Sequence, residues 1–133
     1  MTQYVALDDL NVYKRARELS SVGWKIYEIL DWRDKKIIGD QFITATDSGG
    51  ANIAEGYGRF HYLDKVKFYY NARGSLFESK HWLDLLQERK LITREYYEQY
   101  YMIYKELKLG LNGLIKSAML AKASSTQNNK VLG

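Results

Sequence analysis

No proline occurs in the 133 residues, and this absence is the strongest constraint on the fold. Proline is the residue that most strongly interrupts a helix, so a chain without it can form long continuous helices. Apolar residues recur at alternating steps of four and three, as in Val12, Ala16 and Leu19. That spacing draws one apolar stripe along a helix, and the chain is therefore predicted to be all-α.

Four such stripes occur, and they predict helices over about residues 9–31, 35–57, 62–89 and 93–121. Asp8 or Asp9, Asp34 and Thr93 can cap three of these helices, because their side-chain oxygens accept hydrogen bonds from free backbone N–H groups. Four helices with short connections predict an antiparallel up-and-down four-helix bundle, a single domain over residues 1–122. The polar, aperiodic residues 123–133 are predicted to be a disordered tail.

Composition limits the possible functions. The chain has no cysteine, which excludes disulfides and thiolate metal sites. No apolar stretch approaches the ~18 residues that a membrane span needs, and the first residues, MTQYVALDDL, lack a signal-peptide pattern. We therefore expect a cytoplasmic protein without membrane contact. The net charge of +4 is concentrated in the last third of the chain, where a solvated helix face explains the lysines as well as a nucleic-acid surface does.

The segment SGGANIAEGYGR, residues 48–59, carries four glycines within a helical pattern. A glycine inside a helix costs about 1 kcal/mol relative to alanine, so the run needs an explanation. A phosphate-binding loop would need a lysine and a Ser or Thr after its second glycine, and a preceding β-strand. We interpret the segment as a place where two helices pack closely, with Gly74 and Ser75 supplying small residues on the third helix.

No arrangement of residues predicts catalysis. Ser48 has no histidine at a usable spacing, and His61 and His81 lie far apart in the sequence. His81 and Asp84 form only a weak i, i+3 pair for a metal. No catalytic residue, metal ligand or cofactor is predicted, and a catalytic Glu55 stays open as an alternative.

Three motifs occur in order along the chain: DLNVYKRAREL at 9–19, NIAEGYGR at 52–59 after Ser48, and ARGSLFE at 72–78. In these motifs the sequence resembles the bacterial four-helix-bundle proteins called 23S rRNA-intervening-sequence proteins. The accessory proteins of diversity-generating retroelements share their fold. The resemblance runs from about Leu7 to Ala118. It implies a homo-oligomer, a five-fold ring of bundles without enzymatic activity, associated with RNA or with a reverse transcriptase.

The sequence also departs from the family pattern. Gly49-Gly50 stands where the family usually has Ile-Pro or Val-Pro, and Ile43-Thr44 stands where it often has an arginine pair. Losing two arginines weakens the expectation that the second helix binds nucleic acid.

The polar and glycine residues of the motifs are predicted to be structural. Glu55 is expected to pair with Arg73 while Asn52 bonds a backbone group, which would fix the register between the second and third helices. The predicted structural set is Asn52, Glu55, Gly56, Arg59, Arg73, Gly74 and Glu78.

Two basic clusters are candidate nucleic-acid-binding surfaces, one on the first helix and one in RFHYLDKVK at 59–67. Basic residues interleaved with aromatic ones can hold a single strand by charge and base stacking. For the first-helix cluster, a solvated helix face is the alternative. The predicted residues are Lys14, Arg15, Arg17, Arg59, Lys65 and Lys67.

Five of the twelve tyrosines fall within nine residues of the fourth helix. They cannot all face one core at 100° per residue, and exposed tyrosine is enriched where proteins meet other surfaces. The alternative is a tyrosine-rich helix lying partly in solvent. The predicted oligomer interface is Tyr96, Tyr97, Tyr100, Tyr101 and Tyr104.

These expectations combine into a non-enzymatic, homo-oligomeric bundle that binds structured RNA or a ribonucleoprotein through basic surface patches. The alternative is an oligomeric scaffold for a protein partner, such as a reverse transcriptase, without direct nucleic-acid binding. The modest charge and the missing arginine pair favour this alternative.

Overall fold

The structure, a computed structural model, describes the backbone of residues 5–132 and the side chains of residues 5–124. Within that range the backbone forms four long helices and no β-strand. Residues 1–4 of the predicted domain and residue 133 of the predicted tail lie outside the described residues. The helices are α1 (Asn11–Ile29), α2 (Trp32–Asp34, a π-helical turn at Lys35–Gly39, and Asp40–Tyr57), α3 (Tyr62–Glu88) and α4 (Arg94–Leu132).

Of the three helix caps predicted from the sequence, one is confirmed by the structure. Thr93 Oγ accepts a hydrogen bond from a backbone N–H of the first turn of α4 at 3.3 Å, as predicted. Helix α2 begins earlier than predicted, because Asp31 Oδ1 accepts from the N–H of Asp34 at 2.8 Å and Asp31 is therefore the cap. Helix α1 has no side-chain cap, since Asp8 and Asp9 lie in a short 3₁₀ turn before it.

The fourth helix is longer than the sequence predicts. Its backbone stays helical to Leu132 instead of ending near residue 121, which differs from the predicted disordered tail. Neither glycine nor proline occurs between Gly113 and Gly133. Extending an existing helix costs far less than starting one, so a polar segment free of helix breakers can continue it.

The four helices close into a bundle. Each helix packs against its neighbours in sequence, and α1 also packs against α4. The connections are short, at residues 30–31, 58–61 and 89–93, so successive helices run antiparallel. The predicted antiparallel four-helix bundle is therefore confirmed.

The first connection is tight where α2 passes the end of α1. A Cβ added to Gly39 would lie 2.9 Å from Leu30 Cδ1 and 3.2 Å from the ring of Tyr27. These contacts are closer than almost all Cβ contacts in proteins, so a side chain here would require Leu30 and Tyr27 to shift. The π-helical turn lies at this contact, with the Asp40 N–H donating to the Lys35 carbonyl.

One apolar stripe from each helix fills the core. The stripes have the three- and four-residue steps seen in the sequence, so burial of one face explains each helix. The largest fully buried side chains are Leu19, Ile26, Ile38, Phe42, Ile53, Tyr69, Leu76, Leu83, Leu86, Tyr100, Leu107 and Leu111.

A small polar cluster lies at the centre of this core. The hydroxyl of Tyr100 on α4 lies 2.7 Å from Thr46 Oγ1 on α2, and Thr46 also donates to the Phe42 carbonyl at 2.9 Å. The Tyr100 ring packs against that of Phe42, with centroids 5.2 Å apart. Burial raises the pKa of Tyr100, and hydrogen bonds with Ser79 and Thr46 oppose this only in part. Tyr100 is therefore a neutral, bonded core residue.

The Thr46–Tyr100 pair predicts a coupled effect on stability. Thr46→Val should lower the free energy of unfolding by about 1–3 kcal/mol, because it removes a partner from a buried hydroxyl. Thr46→Val with Tyr100→Phe should cost less than the sum of the two single changes, since neither buried hydroxyl of the pair then remains. Urea unfolding followed by far-UV circular dichroism measures all three variants. Strictly additive losses would contradict the coupling.

Candidate functional site

The glycine-rich segment forms the second half of α2 and the turn after it. Ser48 Oγ lies 2.9 Å from Ser75 Oγ on α3. Asn52 donates from Nδ2 to the Ser48 carbonyl at 2.9 Å and to Ser48 Oγ at 3.1 Å. Asn52 thus bonds a backbone group, as predicted, and it supports a polar link between α2 and α3.

Close packing depends on Gly56 and not on the glycine pair. A Cβ at Gly56 would meet Tyr69 Cε1 at 2.8 Å and Phe68 Cβ at 2.9 Å. At Gly49 and Gly50 the nearest atoms would be 3.5 and 3.4 Å away, which is near ordinary van der Waals distance. The close-packing interpretation therefore holds at Gly56 and is wrong for Gly49 and Gly50. It is also wrong for Gly74, which is exposed and whose Cβ would meet nothing within 4 Å.

The predicted pair between Glu55 and Arg73 does not form. Glu55 Oε1 instead bonds Arg59 at 2.9 Å on its own helix. Arg73 lies on the edge of α3 that faces α4, where it donates to Asn112 Oδ1 at 3.2 Å. The prediction was wrong because α2 packs on the other edge of α3. Glu78 accepts from the indole of Trp82 at 3.3 Å.

Two glycines of the motifs should respond in opposite ways to alanine. Gly56→Ala should destabilise the protein by about 1–3 kcal/mol, because the new methyl overlaps side chains of α3. Gly74→Ala should stabilise it by about 1 kcal/mol, since its Cβ would meet nothing within 4 Å. Thermal unfolding of both variants measures the difference. Equal effects would contradict this assignment of the close contact.

The predicted basic cluster after α2 is engaged within the chain. Lys65 Nζ donates to the carbonyls of Tyr57 at 2.8 Å and Gly56 at 3.4 Å, which closes the carboxyl end of α2. Burial lowers the pKa of Lys65. Arg59 pairs with Glu55, and its guanidinium lies over the Phe68 ring. Of this cluster, the ammonium of Lys67 is left exposed.

The predicted cluster on α1 is engaged only in part. Arg15 bonds Glu18 at 2.9 Å and Glu106 of α4 at 3.1 Å, and the hydrogen bond to Glu18 is the main cause of its raised pKa. Arg17 donates to the hydroxyl of Tyr13 at 3.1 Å and lies over its ring, and Lys14 is exposed. Arg15 therefore helps to fasten α1 to α4, whereas Arg17 and Lys14 form no salt bridge with a described side chain.

Two of the five tyrosines predicted to form an oligomer interface are not available for one. Tyr100 and Tyr104 are buried in the core of the chain itself, so including them in an oligomer interface was wrong. Tyr96, Tyr97 and Tyr101 are half-buried and pack against the core. The spacing in the sequence carried this signal, since Tyr100 and Tyr104 continue the stripe of Leu107 and Leu111 at steps of four and three residues.

Lysines lie over two tyrosines of α4, the half-buried Tyr101 and the buried Tyr104. Lys105 Nζ lies 5.0 Å from the ring centroid of Tyr101, and Lys108 Nζ lies 5.6 Å from that of Tyr104. The rings of Tyr97, Tyr101 and Tyr104 follow one another with centroids about 6 Å apart. The i, i+4 spacing of Tyr101–Lys105 and Tyr104–Lys108 is visible in the sequence and could have indicated these contacts.

Helix α3 adds a second pair of cations to the same face. Lys80 Nζ bonds both oxygens of Asp84, at 2.7 and 2.8 Å, and lies 5.2 Å from the Tyr101 ring centroid. Burial lowers the pKa of Lys80, but hydrogen bonds with Asp84 and Tyr97 outweigh it and the pKa is raised. The guanidinium of Arg73 lies 4.6 Å from the ring centroid of Tyr70.

We call this set the tyrosine–cation seam, since it follows the contact between α3 and α4. Its cations alternate with aromatic rings, which is the composition expected of a surface for a polyanion. Sequence reasoning missed the seam because it depends on the register of two helices. Its residues are Tyr70, Arg73, Lys80, Asp84, Tyr97, Tyr101, Tyr104, Lys105 and Lys108.

Other kinds of site have less support in the described part of the chain. No three of its His, Cys, Asp and Glu side chains come together in a way that could hold a metal ion. None of its helices is long and apolar enough to cross a membrane. An open groove of about 360 Å³ between α1 and α2 is lined by Gly50, Ala51 and Ala54, with Arg17 and Asp47 at its polar side.

Similarity to known proteins agrees with the motifs and the bundle. The sequence pattern of a family described as 23S rRNA-intervening sequence protein matches residues 8–113. The chain belongs to this family. The matched range contains all three motifs on which the resemblance was based, so that prediction is confirmed.

A solved structure gives a second view of the family. It is a protein of unknown function from the S23 ribosomal protein family of Bacteroides thetaiotaomicron, with a TM-score of 0.73 and 27% sequence identity. The similarity covers 79% of this chain and 98% of that one. No curated protein matches the chain. Neither the family description nor the neighbour's indicates a catalytic activity.

Proposed function

We propose that the protein is a non-enzymatic, cytoplasmic homo-oligomer that binds structured RNA or a ribonucleoprotein through its basic surface. The observation that best supports RNA binding is the tyrosine–cation seam, where Arg73, Lys105 and Lys108 form no salt bridge with any described side chain. The net charge of +4 is in keeping with this proposal. Membership of a family named after an rRNA intervening sequence adds to it.

The proposal predicts how the affinity for RNA depends on salt and how it compares with the affinity for DNA. Releasing counterions from phosphates drives such binding, so its affinity should fall steeply with salt. We expect the purified protein to bind a structured ribosomal RNA fragment at near-physiological salt, and more tightly than duplex DNA of equal length. Fluorescence anisotropy at low and near-physiological salt measures both. Weak binding that is equal for RNA and DNA and lost at moderate salt would contradict the proposal.

Self-association is the second part of the proposal, and exposed apolar residues on α4 support it. Met102, Leu109 and Leu120 are all at least 60% exposed, and their spacing of seven and eleven residues puts them on one outer face of the helix. Large apolar residues grouped on a surface are typical of an interface between proteins. The family resemblance implies that the copies form a five-fold ring.

Self-association can be tested by measuring the mass of the oligomer and by a substitution expected to dissociate it. Light scattering should give a multiple of the chain mass of 15.6 kDa, with five copies expected from the resemblance. Leu109→Glu should lower that mass, because a charge would be buried without a partner. Lys25→Glu, which also changes an exposed residue, serves as the control. A native chain that runs as a monomer at micromolar concentration would contradict self-association.

A scaffold for a protein partner, without direct nucleic-acid binding, is the alternative function. The surface at the turn between α1 and α2 supports this scaffold function. Trp32 is 76% exposed there, close in sequence to the exposed Ile29 and Ile37. Exposed tryptophan is enriched in protein interfaces, where it often contributes much of the binding energy. An oligomer that binds no RNA at any salt concentration would favour this reading.

A further inference from the structure

We propose that the tyrosine–cation seam between α3 and α4 is the surface that binds RNA, with its cations holding the phosphates of one strand. This inference rests on the proposed function and identifies the surface that would carry out the RNA binding. It is preferred to the two basic clusters expected from the sequence, because their Arg15 and Arg59 are paired with glutamates. Arg17 keeps its charge over the Tyr13 ring, so the α1 cluster has one such cation where the seam has three.

The seam is long enough to meet several phosphates of one strand. Its cations reach α4 from Tyr97, whose ring lies under Lys80, to Asn112, which accepts a hydrogen bond from Arg73. These two positions are fifteen residues apart, which is about 22 Å at 1.5 Å per residue. The seam is therefore an extended surface and not a single point of contact.

The cations of the seam are held in place without being neutralised. An aromatic ring attracts a cation through its quadrupole and leaves the positive charge in place. Lys105 and Lys108 on α4 and Arg73 on α3 are positioned in this way. Because rings already order these side chains, binding a phosphate costs less conformational entropy than it would with unrestrained lysines. Lys80 differs, since Asp84 balances its charge, and it acts as an anchor for the rings.

Acidic side chains of α4 point away from the seam or are paired. Glu106 reaches Arg15 on α1, which packs on the opposite edge of α4. Glu98 pairs with Arg94. The edge of α4 that faces α3 therefore presents a positive line with little opposing charge.

Exposed rings border the cations and suit an RNA strand better than an acidic peptide. Tyr70 and Phe77 lie on α3 on either side of Arg73 and are 40% and 51% exposed. Unpaired bases stack on such rings, whereas a polyglutamate chain has no group that would use them. Rings next to a row of phosphate-binding cations thus favour nucleic acid as the occupant.

Removing two positive charges from the seam tests whether it binds RNA. Lys105→Gln with Lys108→Gln should weaken binding of the same ribosomal RNA fragment about tenfold at near-physiological salt. The slope of log affinity against log salt should become shallower by about 1.4, since each phosphate contact to a single strand contributes ~0.7. Lys105→Arg with Lys108→Arg should retain binding, because the charge is kept. Thermal unfolding of each variant verifies that the fold is intact.

The matched control is Lys25→Gln with Lys36→Gln, which removes the same charge from exposed positions on α1 and α2. It should change RNA affinity by less than twofold. Equal losses in the seam and control variants would overturn the seam as a site and leave generic attraction. If the seam variant binds RNA with the affinity of the native protein, the seam is not the RNA site, although the proposed function of RNA binding still stands.

Two further outcomes separate the inference from the proposed function. If the native protein binds no RNA, both fail together. If polyglutamate of equal total charge displaces the RNA as well as unlabelled RNA does, the seam recognises negative charge alone. That result would overturn the assignment of RNA as its occupant and would indicate an acidic protein segment instead.

Discussion

The hydrogen bond between Tyr100 and Thr46 joins α2 and α4 through the middle of the core. These helices lie diagonally across the bundle, since each packs mainly against α1 and α3. Leucine and isoleucine can slide past one another at little cost, but a buried hydroxyl must meet its partner. The pair therefore fixes how far α4 is shifted along α2. The position of every tyrosine and lysine on the outer edge of α4 follows from it.

The distribution of charge on the surface follows from the same register. Arg15 of α1 and Arg59 of the turn after α2 lie next to glutamates, so their charge stabilises the bundle locally. Exposed ion pairs of this kind are each worth little, yet they occupy the cations that make them. Between α3 and α4 the neighbours of the cations are rings. A charge beside a ring remains available to an outside anion, so the two regions differ in available charge although they are similar in composition.

Much of the fold could be predicted from the sequence, because burial of one stripe per helix is a local property of the chain. The stripe through Leu76 and Leu83 and the cap at Thr93 are examples. The partner of Arg73 could not be predicted, since it depends on which edge of α3 meets α4. The contacts of Lys80 with the rings of Tyr97 and Tyr101 also could not be predicted, because they depend on the register between α3 and α4. The candidate site therefore needed the structure, while the bundle did not.

The largest buried rings are tyrosines, whereas two of the three tryptophans lie on the surface. Tyr69, Tyr100 and Tyr104 are in the core, while Trp24 and Trp32 are largely exposed and Trp82 packs half-buried against the core. Tryptophan emission of the native chain therefore combines a signal from the surface of α1 and the α1–α2 turn with one from the edge of the core. In a Trp82→Phe variant the emission would come from the two exposed rings alone, so that docking at that turn could be observed separately from unfolding.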